Sequence, residues 1–392
     1  MDTFAAKHLA SRCESVHSVG MTTTSGAGSD QRASAALPLP GRLGRPELDL
    51  GTDPRSDPRM VAALAPFGLT TNGAPPPLGA DAPRAALLEF CAAAETGFEA
   101  VFDALLAGLP PVEGVTTTTR TIQGVDGNDI GLYIVRPSAD TGPLPGVLQI
   151  HGGGMVILRG SGPAYARFRE ELAATGLVVV GVEYRNGAGA LGPHPYPAGL
   201  NDCSSALAWV HAHREELGIT TLTVVGESGG GNLSLATTLK AKRDGVLHTI
   251  DGVYALVPYI SGAYAWSEAD RRRELPSLVE NDGYFISCSL NEIMIEVYDP
   301  GAAHATDPLC WPYHAGPEDL AGLPPHVISV NEVDPLRDEG LAYYRKLLAA
   351  GVDATGRTVL GACHAADLMF RAAIPDMYAA TITDVHRFAS TR

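Results

Sequence analysis

The sequence predicts an α/β protein built on a mostly parallel central sheet with helices on both faces, and three observations predict it. From about residue 146 onward, short Val- and Leu-rich runs alternate with helical stretches, as parallel sheets require when their strands are buried on both sides. Upstream, two β-branched runs flank Asp126-Gly127-Asn128, a hairpin signal, so the sheet opens with antiparallel strands. In the middle, Gly226-Glu227-Ser228-Gly229-Gly230 stands where the buried run 222–225 gives way to a helical stretch over 233–240.

Taken in order, residues 1 to about 56 are rich in Ser, Thr, Gly, Ala and Pro without a periodic apolar face, and are expected to form a disordered tail. A short helical signal over 59–69 and a longer one from Asp81 to Leu106, stopped by Pro110-Pro111, make residues 57–114 an N-terminal helical cap region. Residues 115–392 are expected to form the α/β domain. Its strands are expected at 115–123, 130–136, 146–150, 177–183, 222–225, 252–257, 326–330 and 357–360. The intervening helices fall near 165–175, 199–217, after Ser228 and over 338–350, with a last one over 375–390. Between about 258 and 317 the alternation lapses into aromatic and polar segments, an insertion expected to sit over the carboxyl edge of the sheet, where open α/β sheets bind ligands.

Composition narrows the function. The 392 residues are 45% hydrophobic and 18% charged, enough for a large buried core. With 28 basic and 44 acidic residues the formal charge is −16, and no basic run exceeds Arg271-Arg272-Arg273, which argues against nucleic acid or an anionic membrane as partner. A neutral or hydrophobic small molecule fits better. The six cysteines form no C-x-x-C and are read as reduced. No run approaches the length of a membrane span, and the N-terminus lacks the apolar core of a secretory signal, so the expected location is cytoplasmic. Oligomeric state is left open, a homodimer included.

The chemistry centres on Ser228. A strand-to-helix elbow crowds the residues two positions either side of its apex, which glycines at 226 and 230 relieve, and the following helix directs free N–H groups at the serine. By itself the five-residue pattern is weak, since roughly one random chain in four of this length and composition would contain it. The context supplies the rest. A nucleophilic serine needs a base, an orienting carboxylate and donors for an oxyanion. Of the histidines after Ser228, His364 lies in a loop beyond the last strand, whereas His386 falls within the final helix. Asp334 follows the strand 326–330, with Pro335 holding it extended; Glu332 and Asp338 are the competing acids, and Asp334 could instead cap the next helix. For the oxyanion, His151-Gly152-Gly153-Gly154 follows a strand, so the amides of Gly152 and Gly153, with that of Gly229, are the expected donors.

Rival motifs fail on context. Gly187, Gly189 and Gly192 spell G-x-G-x-x-G, but Pro193-His194-Pro195 follows instead of a helix. His211 and His213, two apart on a helix, point to different faces. No G-K-[ST] occurs. Neither a cofactor nor a metal is expected.

The set His151 to Gly154, Val182-Glu183-Tyr184-Arg185, Gly226 to Gly230, Asp334-Pro335-Leu336-Arg337-Asp338 and His364 resembles the hormone-sensitive-lipase family of α/β-hydrolases. The resemblance runs from about Asp57 to the C-terminus. It implies an α/β-hydrolase fold, a cap over the pocket, and a serine carboxylesterase with Ser228, Asp334 and His364 as triad, acting on small hydrophobic esters and on lactones, macrolactones included. Two departures stand out: Glu227 and Gly229 where the family usually has Asp and Ala, and His364-Ala365-Ala366 where it often has His-Gly. A non-catalytic small-molecule receptor and an acyltransferase are the alternatives on the same fold.

Overall fold

A computed structural model describes residues 38–72, 75–139 and 142–392. Among them, eight strands form one sheet in the order β1-β2-β4-β3-β5-β6-β7-β8. β1 (Val115–Gln123) and β2 (Asp129–Pro137) are antiparallel, paired from Val115↔Pro137 to Gln123↔Asp129, and the connection closes with the Gly124 N–H on the Asn128 carbonyl at 2.8 Å. Gly127 takes φ 78°, the left-handed conformation that the turn signal anticipates. β2 is antiparallel to β4 (Val178–Glu183) as well. All remaining pairs are parallel, through β3 (Leu144–Ile150), β5 (Ile219–Glu227), β6 (Gly252–Leu256), β7 (His326–Asn331) and β8 (Ala354–Val359).

Burial follows position in the sheet. Every residue of β6 and β7 is buried, which is why their sequences are near-continuous apolar runs rather than alternating ones. The edge strand β1 is almost wholly exposed and forms through its β-branched threonines instead. The helices Ala198–Ala212 and Gly229–Arg243 pack on each other against the sheet; Pro163–Ala174 and Pro375–Ser390 pack together separately from them, so both faces are covered.

Three expectations need correction. The helix expected over 199–217 is two, Ala198–Ala212 and Arg214–Leu217, broken at His213, whose Nδ1 lies 2.8 Å from the Trp209 carbonyl. The last strand starts and ends earlier than expected, and Leu360 is left exposed. Of the tail expected over 1–56, residues 1–37 lie outside the described residues, but residues 39–56 are ordered within the compact unit Leu39–Arg392. Leu48 and Leu50 are buried, and Arg55 is bound to Asp53, Glu280 and Asn281. Sparse apolar residues hold this stretch because distant charged partners complete it.

Two segments meet beyond the carboxyl end of β5. The long helix Arg84–Leu106 packs against Cys288–Tyr298, which belongs to the insertion between β6 and β7. Glu95, buried on the former, accepts from the amides of Leu158 at 2.7 Å and Ala190 at 2.8 Å, tying that helix to the loops after β3 and β4.

Candidate active site

Ser228 is the apex between β5 and the helix Gly229–Arg243, with φ 55° and ψ −117°. Non-glycine residues avoid this region, and here hydrogen bonds on both sides hold it: the Ser228 N–H donates to the Leu256 carbonyl at 2.9 Å and its carbonyl accepts from Tyr259 at 3.1 Å. The flanking glycines are needed sterically. A Cβ at Gly226 would stand 2.1 Å from the Gly230 carbonyl oxygen, and one at Gly230 would stand 2.1 Å from that of Ile150.

The structure brings the three expected side chains together. His364 Nε2 is 2.9 Å from Ser228 Oγ, and its Nδ1 is 2.8 Å from Asp334 Oδ2. The other carboxylate oxygen, Oδ1, accepts from the Leu336 amide at 2.8 Å, so Asp334 is fixed from both ends. All three residues are buried. Burial opposes charge on His364, but the Asp334 carboxylate bonded to it, with Glu227 and Glu339 nearby, holds the imidazole pKa above its ordinary value. Of the competing acids, Glu332 bonds the Gly361 amide at 2.9 Å and Asp338 the Ser277 amide at 2.7 Å, away from the imidazole.

The three glycines of the loop approach the cavity unequally. Gly153 and Gly154 line the cavity above Ser228, but Gly152 does not. Its Cα instead faces the Glu227 side chain: a Cβ there would lie 2.2 Å from Glu227 Oε2. Gly154, not selected from sequence, lines the cavity beside Gly153, both with positive φ. Gly229 packs on the loop so closely that a Cβ would lie 2.7 Å from the Gly154 nitrogen, and as the first residue of its helix it has no intrahelical acceptor. Tyr184 donates to the carbonyls of His151 and Gly152 at 2.8 and 3.2 Å, pinning the base of the loop.

A cavity opens over Ser228. Its walls are mostly apolar, with Phe98 and Phe102 from the long helix and Phe285, Leu290 and Met294 from the insertion. Among the described residues no cluster of three metal-type ligands occurs, and no helix is long and apolar enough to cross a membrane. Of the rival motifs, Gly189 abuts the Glu95 carboxylate, and His213 stacks on Trp209 at 4.2 Å.

A family model described as the alpha/beta hydrolase fold matches residues 147–368, more than half of the chain. The chain belongs to the α/β-hydrolase family. Among solved structures this hydrolase is similar to brefeldin A esterase, described as a bacterial homologue of human hormone sensitive lipase, at 50% identity over 90% of this chain and 98% of that one, with a TM-score of 0.88. It is also similar to the esterase Est22, at 38% identity over 87% of this chain and 99% of that one, with a TM-score of 0.77. Among curated proteins, the carboxylesterase NlhH of Mycobacterium tuberculosis is 36% identical over 243 residues, 59% of this chain and 70% of its own. The hydrolase therefore stands with the hormone-sensitive lipases, as its motifs suggest.

Proposed function

We propose that this carboxylesterase hydrolyses small, largely apolar esters through an acyl-enzyme on Ser228. The observation that carries the reading is the unbroken chain from Ser228 Oγ through His364 to Asp334 at the floor of an apolar cavity. His364 Nε2 takes the Ser228 proton as Oγ attacks the ester carbonyl carbon. The resulting oxyanion is met by the amides of Gly153, Gly154 and Gly229, in a dry site where such donors act strongly. As the C–O bond breaks, the imidazolium returns the proton to the departing alkoxide, leaving the acyl group on Oγ. Water, deprotonated by the same histidine, attacks the acyl carbon and restores Ser228. Asp334 holds the imidazole tautomer that leaves Nε2 free to accept.

The long helix and the insertion form the cap, and their phenylalanines favour apolar acyl groups. The name of brefeldin A esterase extends the proposed substrates to lactones, macrolactones included. The five described cysteines are all free and buried, consistent with a reducing, cytoplasmic setting.

Turnover of p-nitrophenyl acetate and butyrate tests the proposal. The parent should release p-nitrophenol, and Ser228→Ala should lose at least about 10³-fold in kcat. A parent without turnover, or a Ser228→Ala variant as active as the parent, would overturn it.

A further inference from the structure

Glu227 is the residue at this site that the ester-hydrolysis scheme leaves unused. It ends β5 immediately before Ser228, is buried, and lines the cavity beside Ser228 and His364. A carboxylate in such a place is costly without partners. Its partners are specific. Tyr165, itself buried, donates its hydroxyl to Glu227 Oε2 at 3.1 Å, and the carboxylate lies close over Gly152, where a Cβ would stand 2.2 Å from Oε2 and displace it. Gly152 immediately precedes Gly153 and Gly154, which line the cavity.

We propose that Glu227 is a positioning residue for ester hydrolysis, its carboxylate seating the oxyanion loop through Gly152 while adding a second negative charge beside His364. This rests on the Ser228–His364 reading above.

The surroundings of both groups are consistent with it. His364 feels, besides its own burial, Asp334, Glu227 and Glu339, all three of which favour its protonated form. Burial, joined by Asp367, holds the Glu227 pKa above its ordinary value, although His364, the Tyr165 hydroxyl and the Gly152 amide favour its charge; Tyr184 also lies within its field. Arg371 shares the small cavity behind Glu227, but its guanidinium is engaged by Glu171 at 3.2 Å. The carboxylate and the imidazolium that forms during turnover therefore stabilise each other.

Glu227→Gln separates this role from simple packing, because the amide keeps the shape and an acceptor but removes the charge. In p-nitrophenyl butyrate hydrolysis across pH 5 to 9, the variant should lose about tenfold in kcat with KM within about twofold. The acid limb of its kcat/KM should move to lower pH. The sign follows from charge: without the second anion, His364 protonates less readily and stays a competent base further into acid. Glu227→Ala should lose more, about a hundredfold in kcat, because the loop also loses its seat. An independent arm measures the His364 imidazole by NMR titration in a Ser228→Ala background, where no turnover is needed. Adding Glu227→Gln should lower the His364 pKa, with the melting temperature confirming a folded protein. An unmoved His364 titration in a folded Glu227→Gln protein, or an unchanged kcat and acid limb, overturns the proposal. Failure of the serine mechanism would instead appear in Ser228→Ala with Glu227 intact.

Discussion

Substituting Gly230 by Ala tests how tightly the elbow is built. The new Cβ would stand 2.1 Å from the Ile150 carbonyl oxygen and 2.5 Å from that of His151, both of them backbone atoms at the end of β3. Ordinary contact begins at 3.4 Å, so the first turn of the helix Gly229–Arg243 must retreat from β3 by about 1 Å, a misplacement that typically costs about 10²-fold in rate. Flexible side chains could absorb such a clash, but backbone paired in the sheet cannot do so cheaply. Overpacking of this kind also lowers stability by about 1–3 kcal/mol. The assay is kcat/KM for p-nitrophenyl butyrate alongside urea unfolding. About a hundredfold loss in a protein that still folds is expected. Activity within threefold of the parent would refute the reasoning, because it would mean that the helix can move relative to β3 without disturbing Ser228.

Other expectations follow from the same geometry. Asp334→Asn should lower kcat by about 10⁴-fold, because the amide can donate to Nδ1 and so favours the tautomer whose Nε2 carries the proton; single-turnover kinetics at pH 7.5 checks this. Glu339, buried and bonded to the Ile260 amide at 2.7 Å and the Tyr264 hydroxyl at 2.7 Å, is pushed up to about 7, chiefly by burial. Its folded form binds the proton more tightly than the unfolded chain does, so it contributes stability that falls as pH rises from the ordinary carboxylate range towards about 7. Urea unfolding at pH 5 and pH 7.5 should show that loss in the parent and a flatter profile in Glu339→Gln. Phe285→Ala should enlarge the cavity and raise the preference for octanoate over acetate esters by about tenfold, read from the ratio of kcat/KM values.

Much of this was legible in the sequence because it rests on local rules. Buried parallel strands write themselves as valine and leucine runs, and the elbow is a strand, a G-x-S-x-G and a helix in fixed order. His364 and Asp334 could be selected because each follows a strand, and strand ends converge at one edge of such a sheet. What escaped depended on direction in space. Nothing in His151-Gly152-Gly153-Gly154 reveals which of the glycines line the cavity, or that Glu227 lies over Gly152, a contact across 75 residues of chain that pairs one glycine with a side chain from β5. The presence of Glu beside the serine was the available signal, since a charged residue forced into a buried elbow must find partners nearby. The order of residues 39–56 was hidden for a related reason, because their holding contacts lie more than two hundred residues away.

Those contacts set a limit on how far the chain can be trimmed. Arg55 binds Glu280, which also pairs with Arg337 at 2.8 Å, and Asn281 ties Arg55 at 2.9 Å to the Asp334 carbonyl at 3.0 Å. On the other side, the Asp57 amide donates to Gly361 at 3.0 Å, and Met60 Sδ accepts from the Cys363 amide at 3.3 Å, one residue before the base. A shortened version beginning at residue 57 would retain every strand and all three reacting side chains, yet cut one of the moorings of the acid's loop. Variation at Asp53 and Arg55 therefore reaches an active centre that neither residue touches.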